Sequence, residues 1–333
     1  MKTTTQNFLK WSATAAGMTG VAAMSAYVMT SYLVKMAMDR EEPKLMKAIE
    51  RKVAGEVSEN GFYQAVKQGA IHLAKKKNET IMITGYDGEK LVAHWIPCPD
   101  AKRVIIAVHG WRSSWSQAFG MVSDVWEKHD CSVLYIEQRG QNSSGGDAMG
   151  FGLTERYDCL DWIHWINENC GSELPVYLCG VSMGASTVLM TADLDLPANV
   201  HGIIADCGYT SPHEIWKHVA NKNLHITFGV KGVIADELLK QKIGMDPEDF
   251  STIDILQKTK IPVMLIHGSN DHFVPVEMTY RNYIACGGPK RLLIVPGADH
   301  AMSYYTEPER YEAAIVDFWK EFDGMSGVEK QCL

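Results

Sequence analysis

Six times between residues 104 and 295 the chain returns to a short apolar run, and no other feature narrows its fold as much. The runs are Val104 to Val108, Ser132 to Ile136, Val176 to Cys179, Gly202 to Ala205, Val263 to Ile266 and Arg291 to Val295. They have strand length and little alternation, the pattern of strands buried on both faces. Most are separated by segments with helical periodicity, such as Arg156 to Ile166. Strand and helix in alternation predict an α/β fold, a mostly parallel sheet with helices on both faces. Upstream, Ile81 to Ile83 and Leu91 to Ile96 flank Tyr86-Asp87-Gly88-Glu89. Asp-Gly between two such runs is a hairpin signal, so an antiparallel hairpin leads into the sheet. Chemistry in such sheets gathers at the carboxyl ends of the strands.

Three strand ends carry the residue types of nucleophilic catalysis. The strand ending at Cys179 runs into Gly180-Val181-Ser182-Met183-Gly184 and then a helical stretch to Ala192. The glycines permit a tight turn that lifts the Ser182 hydroxyl above the sheet edge. That turn also aims the Met183 amide and the helix N-terminus at developing negative charge. A neutral serine needs a base poised near neutral pH, and the base needs a carboxylate to fix its tautomer. The strand ending at Ile266 leads to Asp271, and the strand ending at Val295 leads to His300. We therefore read Ser182 as nucleophile, His300 as base and Asp271 as acid. Asp206, also at a strand end, is the alternative acid. His272 adjoins Asp271 too closely in sequence for an easy direct contact. Asp299 reads as a loop carboxylate, and His109 and His267, each before a glycine, as loop-shaping hydrogen-bonders.

With these residues in place, the stretch from about 80 to 320 resembles the α/β-hydrolase superfamily. The likeness is to its esterase and serine-aminopeptidase-like branch, including membrane-anchored bacterial and Bem46-type members. The matching segments are His109-Gly110-Trp111, Gln138-Arg139-Gly140, Gly180 to Gly184, Gly268 to Pro275 and Gly297 to His300. The resemblance implies an oxyanion hole formed by the amides of Trp111 and Met183, and no cofactor. It departs from the family's Asp-x-Arg-Gly-x-Gly-x-Ser pattern at Glu137 to Gly145, leaving that loop's contacts open. The expected activity is hydrolysis of a carboxylic ester or related acyl bond of a small molecule. A peptidase, amidase, thioesterase or acyltransferase would use the same residues. A membrane-tethered binding protein on a degenerate hydrolase scaffold is the non-enzyme alternative.

Composition removes other classes. The formal net charge is -8, and Lys75-Lys76-Lys77 is the one basic knot, so a nucleic-acid partner is not expected. The 8 cysteines include no C-x-x-C pair and the 12 histidines no H-E-x-x-H pair, so no metal site is expected. Scattered thiols within apolar runs suit a reducing compartment.

The N-terminus carries no Asp, Glu, Lys or Arg from Trp11 to Val34. That length fits one helix across a bilayer core of about 30 Å. Residues 1–35 are expected to be a single-pass membrane anchor; a cleaved signal peptide or a helix of the folded domain are the competing readings. Cations cluster after the segment, so the positive-inside rule places the catalytic part in the cytoplasm. Residues 36–79 read as a helical linker and 80–333 as the catalytic domain. An insert at about 211–256 reads as a helical cap, whose apolar residues either pack on the body or line an acyl pocket.

Overall fold

The computed structural model describes residues 23–41 and 61–324. Its eight strands are β1 (Glu79–Thr84), β2 (Lys90–Ile96), β3 (Arg103–Val108), β4 (Cys131–Glu137), β5 (Val176–Val181), β6 (Val200–Asp206), β7 (Val263–Gly268) and β8 (Lys290–Val295). They form one sheet in the order β1-β2-β4-β3-β5-β6-β7-β8. The hairpin β1–β2 and the β2–β4 pair are antiparallel, and every pair from β4 to β8 is parallel.

The apolar runs are strands because both faces are covered. β3, β4 and β7 are buried at every position. Alternate residues feed two separate cores, as a period of two requires. Ile105, Ala107, Val133, Tyr135 and Cys179 pack with Phe119, Trp126, Phe318 and Trp319. Val104, Ile106, Val108, Leu134 and Leu178 pack with Trp162, Ile163, Val188 and Leu189. The edge strand β1 stays exposed at alternate positions.

A third apolar cluster unites Val34, Met38, Phe151, Met183, Tyr209, Ile215 and Val274. It joins five parts of the chain: the N-terminal helix, the loop after β4, the β5 turn, the segment between β6 and β7, and the loop after β7. That segment forms helices at Pro212–His218, Gly229–Ile243 and Thr252–Lys258, with a single π turn at Val219–Asn223. Ser211 starts the first of them, its side chain accepting from the Glu214 amide ahead of a proline in the first turn.

The N-terminal part differs from the anchor-and-linker expectation. Residues 11–22 of the uncharged stretch lie outside the described residues, but 23–38 are helical and their C-terminal half is packed on the body. Val34 and Met38 are buried. Beyond the helix, Asp39 pairs with Ala148 in a one-residue antiparallel bridge. The Arg40 guanidinium donates to the carbonyls of Asn142, Ser144 and Gly146 at 2.5, 2.5 and 3.2 Å. An uncharged helix suits a protein groove as well as a bilayer, and here part of it fills a groove. The helix Gly61–Lys75 likewise packs on the body, with Leu73 fully buried in the first core. Among the described residues no helix is long and apolar enough to cross a membrane.

Candidate active site

β3 and β5 are neighbours at the place where the strand order reverses, the point at which α/β sheets open a crevice. Val108 pairs with Gly180, so the loops leaving these two strands meet. Ser182 sits on the β5 turn with φ 56° and ψ -119°, outside the ordinary L-residue regions. The strain is held by packing. A Cβ on Gly180 would collide with the Gly184 carbonyl, and one on Gly184 with the Val108 carbonyl, so only glycine allows the turn. The Ser182 amide donates to the Asp206 carbonyl at 2.8 Å, fixing the turn to β6.

The β7 and β8 loops run side by side, pinned by Ser269 N to Val295 O and Asn270 N to Ala298 O, each 2.9 Å. This brings Asp271 and His300 together, 29 residues apart in sequence. His300 Nε2 stands 2.9 Å from Ser182 Oγ, and His300 Nδ1 stands 2.7 Å from Asp271 Oδ2. With neutral imidazole, the serine hydroxyl donates to Nε2 and Nδ1–H donates to the carboxylate. Asp271 Oδ1 accepts the amides of Phe273 and Val274, both at 2.8 Å. Burial alone would raise the Asp271 carboxyl; hydrogen bonds from His267 and His300 and the His300 charge hold it well below the usual range.

The other candidates fall elsewhere. Asp206 is buried, its Oδ1 accepting from Ser303 Oγ at 3.0 Å, and burial pushes its carboxyl up. No hydrogen bond joins it to His300 among the described residues. His272 is exposed and pairs with Asp299 at 3.1 Å. Asp299 also accepts the amides of His272 and His300, tying the two loops together. His109 is fully buried, with Nδ1 2.8 Å from the Gly110 carbonyl and Nε2 3.1 Å from the Gln138 amide. Nδ1 is thus the donor and Nε2 the acceptor. Burial pushes its pKa down to about 4, so the ring is neutral near pH 7.

Trp111 and Met183 both line the cavity that opens over Ser182. Met183 begins the helix Met183–Thr191, so its amide belongs to the first turn, where N–H groups have no helical partner. Trp111 lies in the β3 loop, its indole Nε1 donating to the Ala37 carbonyl at 2.7 Å. The cavity measures about 310 Å³ and is walled largely by apolar side chains, among them Ile215, Trp216 and Phe228. Lys231 is the one charged residue on its wall among the described residues.

Three features went unread in the sequence. His267 holds Asp271, its Nε2 3.1 Å from Oδ2, and no pattern in the sequence marks that contact. Phe273 lays its ring 5.1 Å from that of His300, which nothing in the pattern indicated. The N-terminal helix supplies cavity wall that was expected to lie in a membrane. Among the described residues, two groups of side chains bring potential ligand atoms within 4.8 Å of one another: Cys207 with Asp271 and His300, and His213 with Asp236 and Glu248. In the first, Asp271 and His300 are engaged in the chain to Ser182. In the second, His213 and Asp236 pair at 2.6 Å beside an exposed Glu248.

Residues 99–245 match the family described as serine aminopeptidase, S33. Protein YqkD of Bacillus subtilis is 28% identical over 187 residues, 56% of this chain and 61% of that protein's length. Protein YfhR of Escherichia coli K12 is 24% identical over 248 residues, 72% of this chain and 80% of that protein. Among solved structures, an esterase of Pyrococcus furiosus superposes with a TM-score of 0.60 at 21% identity, covering 74% of this chain and 92% of that one.

Proposed function

We propose that the chain is a member of the α/β-hydrolase superfamily and a serine hydrolase acting on carboxylic esters of apolar acids. The carrying observation is the hydrogen-bonded chain from Ser182 Oγ through His300 to Asp271, set at the mouth of an apolar cavity. Ser182 Oγ attacks the ester carbonyl while His300 Nε2 takes its proton, and Asp271 stabilises the imidazolium. The amides of Trp111 and Met183 hold the oxyanion. His300 then protonates the leaving alcohol, and water, deprotonated by the same ring, releases the acid from Ser182.

The cavity's lining favours an ester over an aminopeptidase substrate. A free α-ammonium needs a carboxylate partner, and none lines the cavity among the described residues. Asp236, on the helix Gly229–Ile243, is paired with His213. The test is p-nitrophenyl ester hydrolysis by the full chain and by Ser182→Ala. We expect turnover in the variant to fall by roughly 10⁴-fold or more. Equal turnover would remove Ser182 from the mechanism, and failure of Ser182 to react with a fluorophosphonate would favour the binding-protein alternative.

We propose membrane attachment through the part of the uncharged segment that precedes Thr30, with the hydrolase body on the cytoplasmic side. The support is the absence of charge from Trp11 onward and the exposure of Met24, Tyr27 and Val28 on the described part of the helix.

A further inference from the structure

One wall of the cavity over Ser182 comes from neither the sheet nor the helices between β6 and β7. Thr30, Leu33, Val34, Met36 and Ala37 line it from the N-terminal helix. The same helix holds the loop that carries Trp111. A helix end leaves its last carbonyls without helical partners. Here they accept from side chains of the β3 loop: Ala37 O from Trp111 Nε1 at 2.7 Å, Met36 O from Arg112 at 2.9 Å, and Asp39 O from Arg112 at 2.8 Å. The wall is therefore registered to the nucleophile by the loop expected to hold the oxyanion. Among the described residues Thr30 is its one hydroxyl residue, buried, with no hydrogen-bond partner for Oγ1. Lys231 lies on another part of the cavity wall, and along the N-terminal helix itself a charged chain would lose its hydration without a charged partner.

We infer that helix 23–38 is the specificity wall of the site, selecting substrates whose acid part is a single unbranched apolar acyl chain. A volume of about 310 Å³ stands at the lower end of small-molecule pockets, about 300–1,000 Å³, which suits one chain and not two. The inference rests on the reading of Ser182 as nucleophile and adds a substrate class and its determinants, Leu33 and Val34.

The experiment measures the rate at which ethyl and octyl fluorophosphonates label Ser182, by intact mass, in the full chain. Labelling reports chain preference without any leaving-group chemistry of an ester, and Ser182→Ala is the blank. Each buried methylene multiplies preference by roughly 4-fold, so the octyl probe should label at least about 100-fold faster. Val34→Trp and Leu33→Trp should each cut that octyl-to-ethyl ratio by about 10-fold or more. Thermal melting identifies a variant that does not fold; Leu33, only half-buried, then decides if Val34→Trp fails. Equal rates for the two probes, or a ratio unchanged in the folded variants, overturns the wall while leaving the serine mechanism standing. No labelling of the wild-type chain by either probe removes the nucleophile, and the wall with it.

Discussion

His267 reaches Asp271 from a second direction. Its Nε2 lies 3.1 Å from Asp271 Oδ2 and 2.9 Å from the Val274 carbonyl, while Nδ1 faces Thr279 Oγ1 at 2.6 Å. The threonine hydroxyl donates to Nδ1, which leaves Nε2–H to donate to the acid. Asp271 thus takes hydrogen bonds from two imidazoles and two amides, an arrangement that keeps it ionised, whereas Asp206 has a hydroxyl partner and rises with burial. Asp271→Asn should lower turnover of a p-nitrophenyl ester by roughly 10³- to 10⁴-fold, since the amide favours the wrong tautomer of His300. Asp206→Asn should retain most of it; the reverse pattern would reassign the acid. A second prediction concerns His109. In the unfolded chain histidine takes up a proton below about pH 6.5. The buried ring resists protonation until about pH 4. Stability is then fully present above pH 6.5 and is lost as pH falls toward 4, by about 3 kcal/mol from this group. Urea unfolding across that range should show a shallower slope in His109→Asn than in the wild type. An identical slope would mean that the group titrates normally in the fold. The sequence marked Ser182, Asp271 and His300 because strand ends and turn glycines leave local signatures. It could not show that His267 bonds to Asp271, because that contact depends on how the β7 loop closes.

Secondary-structure elements were legible where burial alone dictates the residue types. The centres of β3, β4, β5 and β7 are apolar because both faces are covered, and the β1–β2 hairpin announces itself through Asp87-Gly88. What the pattern did not reveal is how that hairpin is held. Arg139, in the loop after β4, donates to Asp158 at 2.7 and 2.5 Å and to Asp87 at 2.6 and 3.2 Å. Its guanidinium also lies 4.9 Å from the centre of the Tyr86 ring. One buried cation thus joins the hairpin tip, the β4 loop and the helix Glu155–Cys170. The departures from the family pattern in this loop are accommodated next to it: Glu137 takes the Ser143 amide at 2.5 Å and His94 at 2.8 Å, and Ser144 Oγ donates to the Glu137 carbonyl at 2.6 Å. Removing Arg139 alone leaves Asp158, 3% exposed at its side chain, without its cation. Arg139→Met should therefore destabilise by about 3–5 kcal/mol, while Arg139→Met with Asp158→Leu should cost clearly less. Midpoints of urea unfolding for the two single variants and the pair measure the coupling. Strict additivity would show that the clamp carries no energy of its own.

For the molecule as a whole, the question is where the folded body begins. The uncharged run Trp11 to Val34 has a composition that lipid and a protein groove serve equally well. Its C-terminal part is committed to protein: Thr30 and Val34 are buried, as is Met38 in the next turn, and Lys242 pairs with Asp39 at 2.7 Å just past the helix. Burial of Val34 and Met38 alone contributes roughly 3–6 kcal/mol, a large share of the 5–15 kcal/mol that separates a folded domain from its unfolded chain. Met24, Tyr27 and Val28, by contrast, are exposed, as a segment emerging from the body toward a bilayer would be. Two deletions separate the two parts. The full chain should stay in the membrane pellet after a carbonate wash, and a chain lacking residues 1–22 should move substantially to the supernatant with its esterase activity. A chain lacking residues 1–40 should lose activity and melt at a lower temperature, because it surrenders a wall of the cavity and the carbonyls that hold Trp111 and Arg112. Full activity in that shorter chain would make the helix a passive tether, and release of the full chain by carbonate would place its attachment, if any, outside the segment that begins at Trp11.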